Sequence, residues 1–149
     1  MKNVVLTVFL LFGTISAFAQ PLPCSSFSGI PVPYIPDPTL QNVGVAHTMQ
    51  NGQPIIVINP NVVGPLPEYV RQFWYAHECA HHALHPMQNS EINADCYAIK
   101  AIRNNGIIAN RQQIGVLLNY ISTLPGNIMT GHLPGPARAE NLYACFATP

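Results

Sequence analysis

The sequence predicts a compact α+β domain in which a small antiparallel sheet packs against helices. Two β-rich runs flank Asn51-Gly52, the dipeptide typical of two-residue hairpin turns. After residue 67, the apolar residues of several segments recur with the helical period, and prolines, glycines or capping residues bound each segment. With 149 residues, of which 48 % are hydrophobic, the chain can bury one modest core.

The first 19 residues have the features of a secretory signal peptide. Lys2 precedes an apolar run from Val4 to Phe18, and Ala17-Phe18-Ala19 has the small-x-small pattern at which signal peptidase cleaves. The run is shorter than the about 20 apolar residues of a membrane span, although an uncleaved anchor is the alternative. We therefore expect a bacterial Sec-type export signal, a periplasmic or secreted protein, and no membrane span after cleavage.

Residues 20–42 form a proline-rich segment that precedes the folded domain, which we assign to residues 43–149. Because proline fixes φ and donates no hydrogen bond, this segment is expected to be extended. It either wraps on the body of the protein or acts as a pro-segment, and the sequence leaves both possibilities open.

The domain begins with the hairpin, for which we predict strands at 43–49 and 54–59. Pro54 suits the first residue of a strand or an edge strand, because proline cannot donate to a sheet ladder. Four helices follow, with start and stop signals that include Pro67, Ser90 and Asn105-Gly106. Their expected bounds are 67–85, 91–105, 110–122 and 136–146.

The four cysteines of the chain predict two disulfides, because an even number of cysteines in an exported protein is typical of a disulfide framework. Three pairings are possible. We favour Cys79–Cys96, which would join two neighbouring helices, together with Cys24–Cys145, which would tie the two ends of the exported chain. Buried free thiols are the alternative.

Charged residues are few and balanced, with six acidic and six basic side chains. No basic stripe is present, so we expect no nucleic-acid partner. We also expect the protein to be a monomer. Three of the six acids, Glu78, Glu91 and Asp95, fall in a stretch without lysine or arginine. A solvated helix face would carry cationic partners for these acids, so the pattern indicates a bound cation.

His77-Glu78-Cys79-Ala80-His81 fits the pattern H-E-x-x-H within a predicted helix. Residues i and i+4 lie one turn apart on the same face, so His77 and His81 can direct their imidazoles at one Zn²⁺ ion per chain. Glu78 projects beside that face, where it can take a proton from a zinc-bound water without ligating the metal. The neighbouring His82 and His85 are expected to be bystanders.

A catalytic zinc site needs a third protein ligand and an open position. A third histidine after a glycine turn is excluded, because Leu84 and Met87 occupy the positions that this scheme requires. The next helix offers Glu91 and Asp95, again at i and i+4. We assign Glu91 to the metal and Asp95 to a hydrogen bond that orients a ligand histidine; the reverse assignment is the alternative.

H-E-x-x-H followed by E-x-x-A-D resembles the gluzincin metalloproteases. The segment EINADCYA, which begins at Glu91, is similar to segments of HtpX-like proteins and of bacterial neutral zinc metallopeptidases. His132 and Arg138 have the spacing of a downstream His/Arg motif of HtpX-like proteins, with Leu133 in place of the usual proline. The resemblance covers about 65 residues, from Trp74 to Arg138.

The resemblance implies a zincin-like domain that hydrolyses peptide bonds of a peptide or protein substrate. In such a domain Glu78 activates the zinc-bound water, His132 stabilises the oxyanion of the intermediate, and Arg138 braces the carboxylates of the site. An edge strand above the zinc holds extended substrate in zincins, and by similarity of layout we expect residues 54–59 to be that strand. A catalytically inactive zincin fold that binds zinc or a protein partner is the alternative function.

Overall fold

The computed structural model describes residues 20–127, 129 and 131–148, so the predicted signal peptide lies outside the described residues. The described chain is a compact α+β domain, as predicted, with a small sheet and five helices. The strands are β1 (Tyr34–Pro36), β2 (Gly44–Thr48) and β3 (Pro54–Ile58). The helices are α1 (Pro60–Val63), α2 (Glu68–Ala83), α3 (Glu91–Asn104), α4 (Arg111–Ser122) and α5 (Gly135–Ala147).

The four predicted helices are confirmed to within about two residues at each end. Ser90 caps α3 by accepting a hydrogen bond from the Asn93 N–H, and Asn110 caps α4 through Gln113 in the same way. Helix α2 ends at Ala83, because the residue before Pro86 is restricted to extended backbone and a short 3₁₀ turn (Pro86–Gln88) follows. None of the helices in the described residues is long and apolar enough to cross a bilayer.

The predicted hairpin of β2 and β3 is confirmed, and Gly52 in its turn has a φ of 84° that favours glycine. The sheet has the order β1-β3-β2, in which β1 runs parallel to β3. The sheet is therefore mixed, and β3 is its central strand. The expectation that residues 54–59 form an edge strand is wrong, because the proline-rich segment supplies β1 and covers that side. Pro54 is the first residue of β3 instead.

Helix α2 lies between two hydrophobic clusters and is therefore held on opposite sides. One cluster fills the space between α2 and the other helices, where Phe73, Ile99, Leu117 and Leu142 are all fully buried. The second lies between α2 and the sheet, and it includes Ile56, Ile58, Val63 and Cys79. This double packing fixes the rotation of α2, and with it the direction in which His77 and Glu78 point.

The proline-rich segment lies along α2. Gln72 on α2 accepts a hydrogen bond from the Leu22 N–H and donates one to the Gln20 carbonyl. Farther along the helix, the Phe27 N–H donates to the carbonyl of His82. The segment is thus anchored along α2, and Leu22, Pro23 and Tyr34 line a cavity there together with residues of α3.

Both disulfides are formed, but the favoured pairing is wrong, because the bonds are Cys24–Cys79 and Cys96–Cys145. Their Cα atoms lie 5.7 and 5.4 Å apart. Cys79 thus bonds to the proline-rich segment rather than to α3, and Cys96 bonds to α5, which packs against α3. Two formed disulfides agree with the expectation of an oxidising compartment outside the cytoplasm.

Replacing Cys24 and Cys79 together by alanine is expected to lower the free energy of unfolding by about 2–4 kcal/mol. The two residues are 55 positions apart, and a bond that closes a long loop restricts the unfolded chain strongly. Urea unfolding followed by circular dichroism measures the change, with Ser28→Ala in the same segment as the control. A loss below about 0.5 kcal/mol, the range of ordinary surface substitutions, would contradict this expectation.

Candidate metal centre

Helix α2 presents His77 and His81 one turn apart, as the H-E-x-x-H pattern predicts. Their ring centroids are 5.1 Å apart. His77 is 2 % exposed, and the Trp74 ring packs against it edge to face with centroids 5.6 Å apart. The imidazole of His77 therefore cannot rotate freely, and its two ring nitrogens have fixed neighbours.

Glu91 is the first residue of α3, and its carboxylate lies between the histidines. Oε2 of Glu91 is 3.2 Å from Nε2 of His77, and Oε1 is 3.5 Å from Nε2 of His81. The short turn after α2 brings the start of α3 back to this face. Within that turn Asn89 holds His81 from both sides, with its Oδ1 2.9 Å from Nδ1 and its Nδ2 donating to the His81 carbonyl.

His132 approaches Glu91 from a third element, the loop between α4 and α5. Reciprocal backbone hydrogen bonds between Asn127 and His132, each 3.0 Å long, form a small hairpin. Gly131 precedes the histidine with a φ of 79°. Nε2 of His132 lies 2.9 Å from Oε2 of Glu91. Ligand atoms of His77, Glu91 and His132 lie within 4.8 Å of one another, so these three residues could hold a metal ion.

Asp95 lies behind His77, one turn along α3 from Glu91. Its Oδ1 is 2.9 Å from Nδ1 of His77, the nitrogen that points away from Glu91. Arg138 of α5 donates two hydrogen bonds to Asp95, from Nε to Oδ2 at 2.8 Å and from Nη2 to Oδ1 at 2.7 Å. This arrangement favours Glu91 as the ligand and Asp95 as the group that orients His77, and it disfavours the reverse assignment.

Glu78 lies against β2, beside the group of histidines. Glu78 is 7 % exposed, and the Ala46 N–H faces its carboxylate, where it opposes the rise in pKa that burial causes. The Val43 carbonyl accepts from the Asn59 N–H, and the Met49 N–H donates to the Gln53 carbonyl, so the backbone groups of these two residues point toward β3. Because alternate residues of an antiparallel strand face opposite sides, Gly44, Ala46 and Thr48 direct their backbone groups to the free edge of β2. Glu78 thus lies between the histidines and an edge strand.

The electrostatics of the group match a place for positive charge. Burial disfavours ionisation of Glu91, but hydrogen bonds with His77 and His81 outweigh it and hold the pKa of the Glu91 carboxyl well below its usual range. Burial would lower the pKa of His77, yet its contacts with Asp95 and Glu91 raise this pKa to about 9. In contrast, burial is the largest influence on Glu78 and raises the pKa of its carboxyl. A proton on His77 thus neutralises part of the negative charge of Asp95 and Glu91, as a bound cation would.

The two histidines that follow the H-E-x-x-H pattern, His82 and His85, make contacts outside this group. Nε2 of His82 is 2.9 Å from the Ile55 carbonyl, and Nδ1 of His85 accepts a hydrogen bond from the Met87 N–H. The sequence did not indicate Asn89, Ala46 or Gly44 as neighbours of the site. Asn89 could have been suspected from the very short connection between α2 and α3, whereas the approach of β2 to Glu78 depends on tertiary packing alone.

Comparison of the chain with protein-family models, curated proteins and solved structures finds no match. The geometry of the described residues therefore carries the functional inference.

Proposed function

We propose that this protein is an exported, zinc-dependent metallopeptidase of zincin-like fold that acts in the periplasm or the medium. The observation that carries the proposal is the convergence of three imidazoles from two elements on the Glu91 carboxylate, with Glu78 buried beside them. Imidazole nitrogens with one carboxylate are a ligand set of catalytic zinc sites. The Asp95 carboxylate behind His77 also supports a metal site, because a ligand histidine usually donates the N–H of its other ring nitrogen to a carboxylate.

His77, His81 and Glu91 are the proposed ligands of one zinc ion, and His132 is proposed to face the open position. His81 is positioned by two contacts with Asn89 in the turn between α2 and α3, which suits a ligand. His132 is on a hairpin from another part of the chain and is more exposed, 30 % against 19 % for the side chain of His81. An exposed donor at the mouth of the site suits a residue that contacts substrate.

When bound, zinc lowers the pKa of a coordinated water molecule and polarises the scissile carbonyl. Glu78 accepts the proton of the attacking water and later delivers it to the leaving amine, a role that its raised pKa favours. His132 donates a hydrogen bond to the developing oxyanion. The free edge of β2, rather than β3, is the proposed place for an extended peptide, because its backbone groups are directed outward next to Glu78.

Metal analysis of the chain that begins at Gln20 tests the ligand set. We expect about one zinc per chain, lost in His77→Ala, His81→Ala and Glu91→Ala but kept in His132→Ala. The last variant should instead hydrolyse fluorescein-labelled casein about 10²–10³-fold more slowly, the usual cost of losing an oxyanion donor. His85→Ala, which removes an imidazole beyond the end of α2, is the control.

Two results would change this assignment. If His132→Ala loses the metal while His81→Ala keeps it, the ligands are His77, Glu91 and His132, the group whose atoms already lie within 4.8 Å. If the purified chain holds no metal at all and takes up none from added zinc, the metallopeptidase proposal is wrong.

A further inference from the structure

Gly44 of β2 lies close to the aliphatic part of the Glu78 side chain. A Cβ atom built at Gly44 would lie 2.8 Å from Cγ of Glu78 and 2.7 Å from Cδ1 of Ile58. Its φ is not positive, so a side chain here is excluded by space rather than by backbone strain. We propose that the missing side chain of Gly44 is a positioning device, which lets Glu78 lie against the edge strand in the orientation that its proton transfer requires.

The two close atoms differ in how easily they can move. Cδ1 of Ile58 is the end of a side chain and can turn away, whereas Cγ of Glu78 lies in the middle of its side chain and carries the carboxylate with it. A methyl group at residue 44 therefore displaces the carboxylate of Glu78. An error of about 1 Å in the placement of a catalytic group can cost about 10²-fold in rate.

The Ala46 N–H faces the other end of the same side chain. It points at the Glu78 carboxylate from the free edge of β2, two residues along the strand from Gly44, and it opposes the rise of the carboxyl pKa. Gly44 thus gives Glu78 room at Cγ, and the carboxylate faces the Ala46 N–H. The edge strand and the catalytic side chain form one unit, in which a change in the strand shifts the general base and leaves the ligands on α2 and α3 in place.

This inference rests on the proposed function for its kinetic consequence, but its structural part can be tested without activity. The first measurement is the ¹⁵N–¹H spectrum of the metal-free chain. A carboxylate next to an amide proton moves its signal downfield, so the Ala46 signal should move upfield in Glu78→Gln, which replaces the carboxylate by a weaker neutral acceptor, and also in Gly44→Ala, which displaces it. Gly115→Ala is the matched control, because a Cβ atom at Gly115 of α4 meets nothing within 4 Å.

The second measurement is casein hydrolysis by the zinc-loaded variants. We expect Gly44→Ala to lower kcat by about 10²-fold with KM changed less than threefold and about one zinc per chain retained. Adding Gly44→Ala to Glu78→Gln should cause no further loss, because the two changes remove the same function. Gly44→Ala/Ile58→Val removes the second close contact, so this variant should recover the unfolding midpoint of the wild type and still show the low kcat.

The outcomes separate the inference from the proposed function. If the wild type cleaves casein and Gly44→Ala cleaves it equally well with an unmoved Ala46 signal, the positioning role is refuted. Recovery of full activity in Gly44→Ala/Ile58→Val also refutes it, because the damage would then be one of core packing. If the wild type cleaves nothing while the Ala46 signal moves as expected, the placement of Glu78 by the strand stands and the peptidase function fails.

Discussion

Glu78→Gln is expected to abolish casein hydrolysis, lowering kcat by about 10²–10⁴-fold, while the zinc content stays at about one per chain. Glutamine has the shape of glutamate and its amide oxygen can still accept from the Ala46 N–H, so the local structure should persist. What is lost is a group that can take up a proton. Burial raises the pKa of the Glu78 carboxyl above its usual range, which favours a group that accepts a proton.

Casein hydrolysis and zinc content, measured on the same preparations, test whether Glu78 is the general base. Glu68→Gln is the control, because Glu68 is an exposed acid in the first turn of the same helix and lies outside the site. If Glu78→Gln retains activity, Glu78 is not the general base. If neither the variant nor the wild type cleaves an unfolded substrate while both bind zinc, the inactive zinc-binding module becomes the better explanation.

Local signals in the sequence determined most of the secondary structure. The Asn51-Gly52 turn and the Ser90 cap are indicated by neighbouring residues, and both act as predicted. Pro67 and Asn110, which we expected as the first residues of their helices, are the N-caps of α2 and α4. The same holds for the two histidines of α2, because helical periodicity alone places them on one face.

Features that depend on distant contacts were predicted less well. The edge position of residues 54–59 failed because β1 comes from the proline-rich segment, whose pairing partner is not indicated by its own sequence. The disulfide pairing failed because Cys79 bonds to the proline-rich segment and Cys96 bonds to α5, and helical position alone did not show which element lies against each cysteine. His132 was placed near the site only through a resemblance, and the structure brings it within 2.9 Å of Glu91.

Arg138→Met is expected to lower the free energy of unfolding of the metal-free chain by about 3–5 kcal/mol. Asp95 and Arg138 are 3 % and 4 % exposed. Nε and Nη2 of Arg138 each donate to a different carboxylate oxygen of Asp95. Removing the arginine leaves a buried carboxylate that only His77 contacts, and this penalty exceeds the worth of an ordinary ion pair. Such a loss is a large part of the about 5–15 kcal/mol by which a domain is usually stable. Urea unfolding in the presence of a chelator measures it.

Arg111→Met is the matched control, because Arg111 is an exposed arginine at the start of α4. It should change the unfolding free energy by less than about 0.5 kcal/mol. If Arg138→Met costs no more than this control, the pair with Asp95 is not a buried, coupled unit.

The double variant Asp95→Asn/Arg138→Met separates the two roles of this pair. Without the carboxylate there is no uncompensated charge to bury, so the double variant should be more stable than Arg138→Met alone. Its zinc affinity should nevertheless be about 10–100-fold weaker than that of the wild type, because Nδ1 of His77 loses the carboxylate 2.9 Å away that orients it. Recovery of stability without recovery of zinc affinity is the pattern that a group orienting a ligand histidine produces. Recovery of both would show that Asp95 serves the fold and not the metal.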